Sequence, residues 1–227
     1  MILSQLSLSD ALTIAWRKVK GTKATFLAAL MVVGVINFTA GLVKGFVGFF
    51  SGELGFILQY VASLVAYIAN VGLLYIGIQH ARNLPINYRL LFKSFRWPTA
   101  ARLAAIYIIG TLVLFIAATL TAKTHSIAYI GMAIISTLFC LWFNFRMFLA
   151  PAFIIDANLP VIPAIKASFQ ATDYHVIKLA VLILIQMGII IISALPLAIG
   201  LIWTLPMMFI LYGVVYVTLA PQSKQSS

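Results

Sequence analysis

The chain has 227 residues, of which 63% are hydrophobic and 8% are charged, and its mean hydropathy is +1.11. This composition lacks the polar surface that a soluble domain of this length needs, so it excludes a soluble globular protein and indicates an integral membrane protein. The net charge of +11 would suggest a nucleic-acid partner in a soluble chain. Here the cations fall between apolar stretches, which favours anionic lipid headgroups and no nucleic-acid partner.

Six apolar stretches are nearly free of charge and are long enough, or nearly so, to cross a bilayer. They are Ala24–Val43, Leu54–Ile78, Leu103–Ala122, Ile127–Phe148, Leu179–Leu195 and Leu201–Leu219. The sequence therefore predicts an all-α fold, a polytopic membrane bundle of six transmembrane helices that forms one membrane domain over residues 1–227.

The charge between these stretches is distributed asymmetrically. Of the fifteen Lys and Arg residues, thirteen fall on one side of the predicted membrane, and only Lys44 and Lys123 fall on the other. Because positively charged connections stay in the cytoplasm, this bias predicts cytoplasmic N- and C-termini. Anionic headgroups of the cytoplasmic leaflet are the first partner that it implies.

Three segments with charged residues and helically spaced apolar residues precede the first, third and fifth spans. They cover residues 6–21, 86–103 and 161–179. The pattern predicts three amphipathic helices on the cytoplasmic membrane surface. Each segment has one large aromatic residue at the corresponding position, and we expect these residues to be interfacial anchors: Trp16, Phe95 and Phe169.

The three anchors also suggest an internal repeat. Each follows an aliphatic residue by four positions and precedes two spans, and the periods are 79 and 74 residues. We interpret the pattern as three units of a helix plus a transmembrane hairpin, residues 1–80, 81–156 and 157–227. The alternative is that an even-span protein with amphipathic inner connections shows this pattern without a repeat.

Five glycines recur at intervals of four, three, four and three residues around the first predicted turn. They are Gly41, Gly45, Gly48, Gly52 and Gly55. On a continuous helix they would form one smooth stripe, which predicts close packing between spans or between protomers. The alternative is that they are turn glycines in the connection between the first two spans.

Five side-chain amides are predicted to lie at membrane depth. They belong to Asn37, Gln59, Asn70, Asn144 and Gln186. Buried amides in lipid tend to face neighbouring helices and hydrogen-bond to them, so we expect them to join helices. The alternative is a polar path for a solute, which would require several of them to face one cavity.

Two charged residues lie near the cytoplasmic end of the fourth span. Arg146 is close enough to this end for its side chain to reach the headgroups, and we expect it to be a structural anchor. Asp156 follows ten residues later, near the same surface. A contact between Arg146 and Asp156 would hold the start of the third amphipathic helix.

The sequence predicts no catalytic residue, cofactor site or metal site. The titratable groups are scattered over the ends of different spans, and no two carboxylates are helically spaced. The alternative is that folding assembles Asp156, Asp173 and His175 into an acid–base site. Cys140, the single cysteine, has no second thiol for a disulfide or metal and indicates a small packing residue.

Three segments resemble a known family pattern. They are LAPAFIIDANLPVIPAIKASFQATDYHVIKLAVLILI at 149–185, the closing hairpin at 194–219 and SLSDALTIAWRKVKGTKATFLAAL at 7–30. They resemble the bacterial inner-membrane proteins that include the membrane domain of glycerophosphoryl diester phosphodiesterases and the YciC-like proteins. An acidic residue followed by an Ala-x-x-x-Ser helix is matched by Asp156, Ala164 and Ser168.

The resemblance implies a location in the bacterial inner membrane and a membrane architecture without an enzymatic activity. In those phosphodiesterases the catalytic domain is separate and soluble, and this chain has no such domain. We therefore expect a non-enzymatic scaffold or accessory subunit that organises lipid or a partner protein through its basic face, either alone or as a homo-oligomer. The alternative function is a transporter or channel for a lipid or another amphipathic solute.

Overall fold

The computed structural model of the protein describes residues 8–19, 22–47, 53–121, 127–173, 175–195 and 200–220. In these ranges all regular structure is helical. The helices are α1 (Leu8–Lys18), α2 (Lys23–Val47), α3 (Glu53–Ala81), the 3-10 helix η1 (Tyr88–Phe95), α4 (Thr99–Thr121), α5 (Ile127–Arg146), α6 (Ala150–Ile155), α7 (Val161–Thr172), α8 (Val176–Ala194) and α9 (Leu201–Leu219).

Six regions of the described chain are long and apolar enough to cross a membrane, which is the number that the sequence predicts. Five of them coincide with α2, α3, α4, α8 and α9. The fourth, Ala133–Ile155, combines α5 with the short α6. The architecture therefore fits a multi-pass membrane protein.

The contacts fix the relative directions of the spans around α3. The rings of Phe26 and His80 lie 6.4 Å apart, and Asn37 is hydrogen-bonded to Asn70, so α2 and α3 are antiparallel. In contrast, α9 runs parallel to α3, because Gly77 contacts the backbone around Phe209 and Ile210 whereas Arg82 lies near Tyr216.

Helices α3 and α9 form the centre of the bundle. About half of the apolar window of each is buried, at 50% and 56%, against 11% for α4 and 17% for α8. The two central helices touch through glycines, since a Cβ atom on Gly77 would overlap the Phe209 carbonyl and one on Gly213 would overlap the Gly77 carbonyl. Only residues without a side chain permit this backbone approach.

The buried core lies toward one end of the bundle. We call this the basic end; there α3 and α9 finish, α4 begins, and Lys18, Arg82, Arg102 and Arg146 make contacts between elements. Buried positions in α3 begin at Ile68, while exposed apolar side chains cover its first three turns. At the opposite or distal end, where α2 finishes and α3 begins, the apolar surface fits a covering of lipid.

The first of the three segments, residues 6–21, contains the α-helix α1. It packs on α9 and α3 and buries a face of small residues, Ala11, Ala15 and Val19. Trp16 is 53% exposed, so it lies on the outer side of the helix.

The prediction of one amphipathic helix over residues 86–103 is wrong in its detail. Residues 88–95 form η1, whose buried residues Leu91 and Ser94 are three positions apart, the repeat of a 3-10 helix. Pro98 disfavours helical backbone at the preceding residue, and α4 starts only at Thr99. Phe95 is partly buried against the core, while Phe92 is exposed.

The segment η1 lies along the side of α3 and not beyond its end. A Cβ atom on Gly72 would lie 2.5 Å from the Leu91 carbonyl oxygen. Gly72 is nine residues before the end of α3, a distance of about 13 Å along the helix. Lys93 adds a hydrogen bond of 2.8 Å to the Tyr75 hydroxyl and lies over the Tyr75 ring. The connection between α3 and α4 therefore folds back on α3.

The third segment is also divided, because α7 ends at Thr172 and α8 begins at Val176. The buried face of α7 contains small residues, Ala164, Ser168, Ala171 and Thr172, and Ile162 is exposed. Of the large apolar residues at helical spacing in this segment, Ile162 is exposed, whereas Ile165 and Phe169 are partly buried against the core. Because one of the three matching segments is a 3-10 helix and the others are α-helices, the repeat stays a prediction.

Candidate functional site at the basic end

A partly buried ion pair joins the end of α3 to the turn after α6. The Arg82 guanidinium donates two parallel hydrogen bonds to Asp156, of 2.8 Å to Oδ1 and 2.7 Å to Oδ2. The Tyr216 hydroxyl of α9 donates a third, of 3.0 Å, to Oδ2. Tyr216 is 2% exposed and its ring lies under the guanidinium. Such bidentate pairing fixes both the distance and the orientation of the two groups. Arg82, Asp156 and Tyr216 therefore connect the end of α3, the turn after α6 and α9.

Lys18 joins α1 to the same end of α3. Its ammonium donates to the carbonyls of His80 and Ala81, at 3.3 and 3.2 Å, and to the side chain of Asn83. His80 Nε2 in turn donates to the Lys18 carbonyl at 2.8 Å. A cation at the carboxyl end of a helix satisfies its last carbonyls and complements its dipole. The end of α3 is therefore held from two sides, by α1 and by Asp156.

Arg146 is paired with Asp173, so the expected contact between Arg146 and Asp156 is wrong. The reason is the path of α7, which returns from Asp156 alongside α6 and brings its last turn to Arg146. The guanidinium also lies 4.9 Å from the centre of the Phe169 ring and 5.7 Å from that of Trp142. Cation–π contacts of this kind hold the charge at the edge of the apolar span.

Ser168 connects α7 to the turn between α5 and α6. Its hydroxyl donates to the Arg146 carbonyl at 2.6 Å and accepts from the Leu149 amide at 3.2 Å. The residue is fully buried. Ser168 therefore satisfies two backbone groups where the helix is interrupted, which gives the Ala-x-x-x-Ser motif a structural role.

Around this internally paired centre the basic end presents exposed cations and exposed aromatic side chains. The exposed cations are Arg17, Arg89, Arg96, Lys166 and Lys178, and the aromatics are Trp16, Tyr88, Phe92 and Trp97. Trp97 is 82% exposed and follows Arg96 directly. We call these nine residues the basic surface. Arginine and lysine beside tryptophan and tyrosine are typical of a membrane–water interface.

The predicted interfacial anchors occupy different environments. Trp16 is exposed, while Phe95 is partly buried against the core. Phe169 packs edge-on against Trp142 and Phe143, at 5.9 and 6.0 Å between ring centres. The structure thus exposes one of the three residues and packs the other two against neighbouring helices.

Two of the amides at membrane depth, those of Asn37 and Asn70, are hydrogen-bonded to each other. Asn70 donates to Asn37 at 3.3 Å between α2 and α3, and each also donates to a carbonyl one turn earlier. Asn144 is exposed on α5 and donates to the Cys140 carbonyl of its own helix, while Gln186 is partly buried on α8. The amides of Asn37 and Asn70 thus join two helices, and that of Asn144 satisfies its own helix.

Part of the glycine stripe lies outside the described residues, namely Gly48 and Gly52. Gly55 is partly buried near the start of α3. Gly41 and Gly45 lie on α2 with open space where a Cβ atom would stand. These two glycines therefore make no close contact between helices of one chain, and packing between protomers stays a prediction.

The carboxylates of the alternative acid–base site are in two different ion pairs, Asp156 with Arg82 and Asp173 with Arg146. No group of three or more His, Cys, Asp and Glu residues that would hold a metal ion occurs in the part of the chain that the structure describes. The Cys140 thiol is buried and donates to the Val113 carbonyl. The expectation of no catalytic residue stays a prediction.

Sequence reasoning missed Arg82, Tyr216, Gly77 and Gly213. The charge pattern marked Arg82 only as one cation in a basic connection, and its partner lies 74 residues away. The two glycines carry a weak signal, since each stands alone among large apolar residues of a span, where a glycine usually has a packing reason.

Comparisons with family models, curated proteins and solved structures found no match to this chain.

Proposed function

We propose that the protein is a non-enzymatic membrane scaffold or accessory subunit whose basic surface, in the cytoplasm, holds anionic lipid or an acidic partner. The observation that carries this proposal is the separation of two sets of charges at one end of the bundle. The acidic residues Asp156 and Asp173 form ion pairs with Arg82 and Arg146, respectively. The exposed cations of the basic surface are placed outside these pairs.

The arrangement combines helices that are held together at the basic end with the exposed cations of the basic surface. Lys18, Arg82 and Ser168 tie α1, α3, α6, α7 and α9 together, so the exposed cations project from elements that are held in place. Each cation near an anionic membrane surface contributes about 1 kcal/mol of attraction. Exposed Trp97 and Tyr88 add the aromatic side chains that favour the headgroup layer. A bacterial inner membrane and cytoplasmic termini belong to the same proposal.

The test is the lipid that remains with the purified full chain in mild detergent. A variant with Arg89→Gln, Arg96→Gln, Lys166→Gln and Lys178→Gln is expected to retain less phosphatidylglycerol, since each lost cation removes about 1 kcal/mol of attraction at the basic surface. The matched control exchanges Arg and Lys at the same four positions and keeps the charge. Equal retention by both variants would reject the lipid proposal.

An acidic protein partner at the basic surface is tested by a separate measurement. Photochemical cross-linking in intact cells from a photoreactive residue placed at exposed Ile177, followed by identification of the joined peptides, reports a protein on the basic surface. We expect acidic segments among the cross-linked peptides, and the Gln variant is expected to lose them. Cross-links that persist in that variant would show a partner held by other contacts. The hydrogen bond between Asn37 and Asn70 favours a role of these two amides in joining helices over a common solute path.

A further inference from the structure

The distal end contains a cleft between the last turns of α2 and the first turns of α3. It is lined by Lys44, Phe56, Gln59, Tyr60 and Ser63. Four of these five side chains are polar, although the surrounding helices are apolar. A concentration of polar groups at the edge of an apolar span calls for a ligand or solvent to satisfy them.

The position of Lys44 places the cleft at the level of headgroups. Lys44 follows the first residue of α2, Lys23, by 21 positions, which corresponds to about 30 Å along a helix, the thickness of a hydrocarbon core. If the start of α2 lies at one headgroup layer, Lys44 lies at the other. Phe56 is exposed at the rim, beside Gln59, where an acyl chain would descend.

The hydrogen bonds of the cleft separate its donors from its acceptors. The Tyr60 hydroxyl is hydrogen-bonded to Thr111 Oγ1 at 2.8 Å, and whichever oxygen donates, the Tyr60 oxygen keeps a free lone pair. The Ser63 hydroxyl donates to the Gln59 carbonyl and likewise keeps its lone pairs. Within the described ranges the Lys44 ammonium and the Gln59 side-chain amide have no hydrogen-bond partner.

This set of groups matches one headgroup chemistry. The ammonium and the amide offer donors to a phosphodiester, whose single negative charge the Lys44 cation balances. The hydroxyl oxygens of Tyr60 and Ser63 offer acceptors to hydroxyl groups of the headgroup. A headgroup that ends in an ammonium would instead be repelled by Lys44. To donate to the hydroxyl oxygens of Tyr60 and Ser63, its ammonium would have to lie beside the like charge of Lys44.

We propose that this distal cleft binds a phospholipid with an anionic phosphodiester and a hydroxylated headgroup, of the phosphatidylglycerol type, from the leaflet opposite the basic surface. The site is separate from the basic surface and does not depend on its function. Binding at both ends would attach the protein to the anionic lipid of both leaflets.

The experiment maps lipid on the full chain in nanodiscs. Phosphatidylglycerol with a photoreactive diazirine at the top of one acyl chain is activated by light, and the labelled peptides are identified by mass spectrometry. We expect labelling of residues 56–63. Lys44→Gln is expected to lower that labelling about fivefold, because one charge-assisted contact is lost, whereas Lys44→Arg keeps it. Gln59→Leu, which suits a lipid-facing helix, tests the amide without removing a charge.

Peptides from the basic surface provide an internal reference, since their labelling should not change in Lys44→Gln. Unlabelled phosphatidylglycerol is expected to compete, while phosphatidylethanolamine and soluble glycerol phosphate are not. Equal competition by phosphatidylethanolamine, or unchanged labelling in both Lys44→Gln and Gln59→Leu, would overturn the proposal. Displacement by glycerol phosphate at the same concentration as lipid would also overturn it, because the ligand would then be a free phosphate ester.

Discussion

Gly77 of α3 and Gly213 of α9 face each other so closely that a Cβ atom on either residue would overlap the backbone of the opposite helix. This contact holds the two central helices of the bundle together. Overpacking of a tight contact costs about 1–3 kcal/mol. We expect Gly213→Ala to lower the melting temperature of the protein in detergent, and Gly213→Leu to prevent folding of the bundle.

The control for this prediction is Gly45→Ala, since Gly45 has open space around the position of a Cβ atom. Its melting temperature should equal that of the wild type. Size-exclusion chromatography of Gly45→Leu then tests the glycine stripe as a contact between protomers. A smaller particle would support that contact, and an unchanged particle would leave Gly41 and Gly45 as lipid-facing residues.

A second prediction concerns the pair of Arg82 and Asp156. Removing one partner of a buried ion pair costs about 3–5 kcal/mol. The Arg82 side chain is 32% exposed and that of Asp156 is 8% exposed, so solvent screening reduces our expectation for Asp156→Ala to about 2 kcal/mol. Tyr216→Phe, which loses one hydrogen bond, should cost about 1 kcal/mol.

Denaturation in mixed detergent measures both free energies of unfolding, and the double variant reveals their coupling. Because Tyr216 acts through Asp156, the double variant should cost less than the sum of the single changes. Strict additivity would show that the two residues stabilise the bundle independently.

The third prediction concerns the buried hydroxyl of Ser168. Ser168→Ala leaves the Arg146 carbonyl and the Leu149 amide without their partner, and an unsatisfied buried polar group costs about 1–3 kcal/mol. Ser136→Ala is the matched control, because the Ser136 hydroxyl bonds only to the Ala133 carbonyl of its own helix. A loss of thermal stability in Ser168→Ala but not in Ser136→Ala is the expected result.

The fourth prediction separates the two environments of the asparagines. Asn70→Leu removes the hydrogen bond to Asn37 and should cost about 0.6 kcal/mol, the average for hydrogen bonds between membrane helices. Asn144→Leu removes only a bond within α5 and exposes an apolar side chain to lipid, so its stability should equal or exceed that of the wild type. A greater loss in Asn144→Leu would point to a contact with another protein.

The fifth prediction tests the depth of the basic surface. Trp16 and Trp97 are both exposed. Variants in which one of them is the only tryptophan, with Trp142 and Trp203 replaced by Phe, report its depth through quenching by brominated lipids. We expect maximal quenching by bromine near the headgroups. Quenching by aqueous iodide instead, with no effect of brominated lipid, would place both residues in water and count against the lipid proposal.

The six spans could be predicted from the sequence because each is a long apolar run. Leu201–Leu219 was predicted with the bounds that α9 has in the structure. The local pattern could not give the partners of charged residues, since Asp156 is reached by Arg82 and Tyr216 from distant helices. Proximity in sequence suggested Arg146 as the partner, but the return of α7 beside α6 placed Arg146 next to Asp173.

The faces of the short helices were harder to predict for a different reason. Hydrophobicity ranks Trp16 and Ile162 above Ala11 and Ala164, yet the alanines are the buried residues. Close packing between helices selects small side chains, whereas large apolar side chains suit contact with lipid. A scale based on transfer from water therefore does not identify the packed face when the alternative environment is also apolar.

The central place of α9 has a consequence for biosynthesis. Of the six described spans, α9 is the last to emerge from the ribosome, yet α3 packs against it through Gly77. At a synthesis rate of 5–20 residues per second, α3 waits roughly ten seconds for this partner. During that interval the first spans reside in the membrane with the glycine face of α3 uncovered, so a truncated chain that stops before α9 presents that face to quality-control proteases.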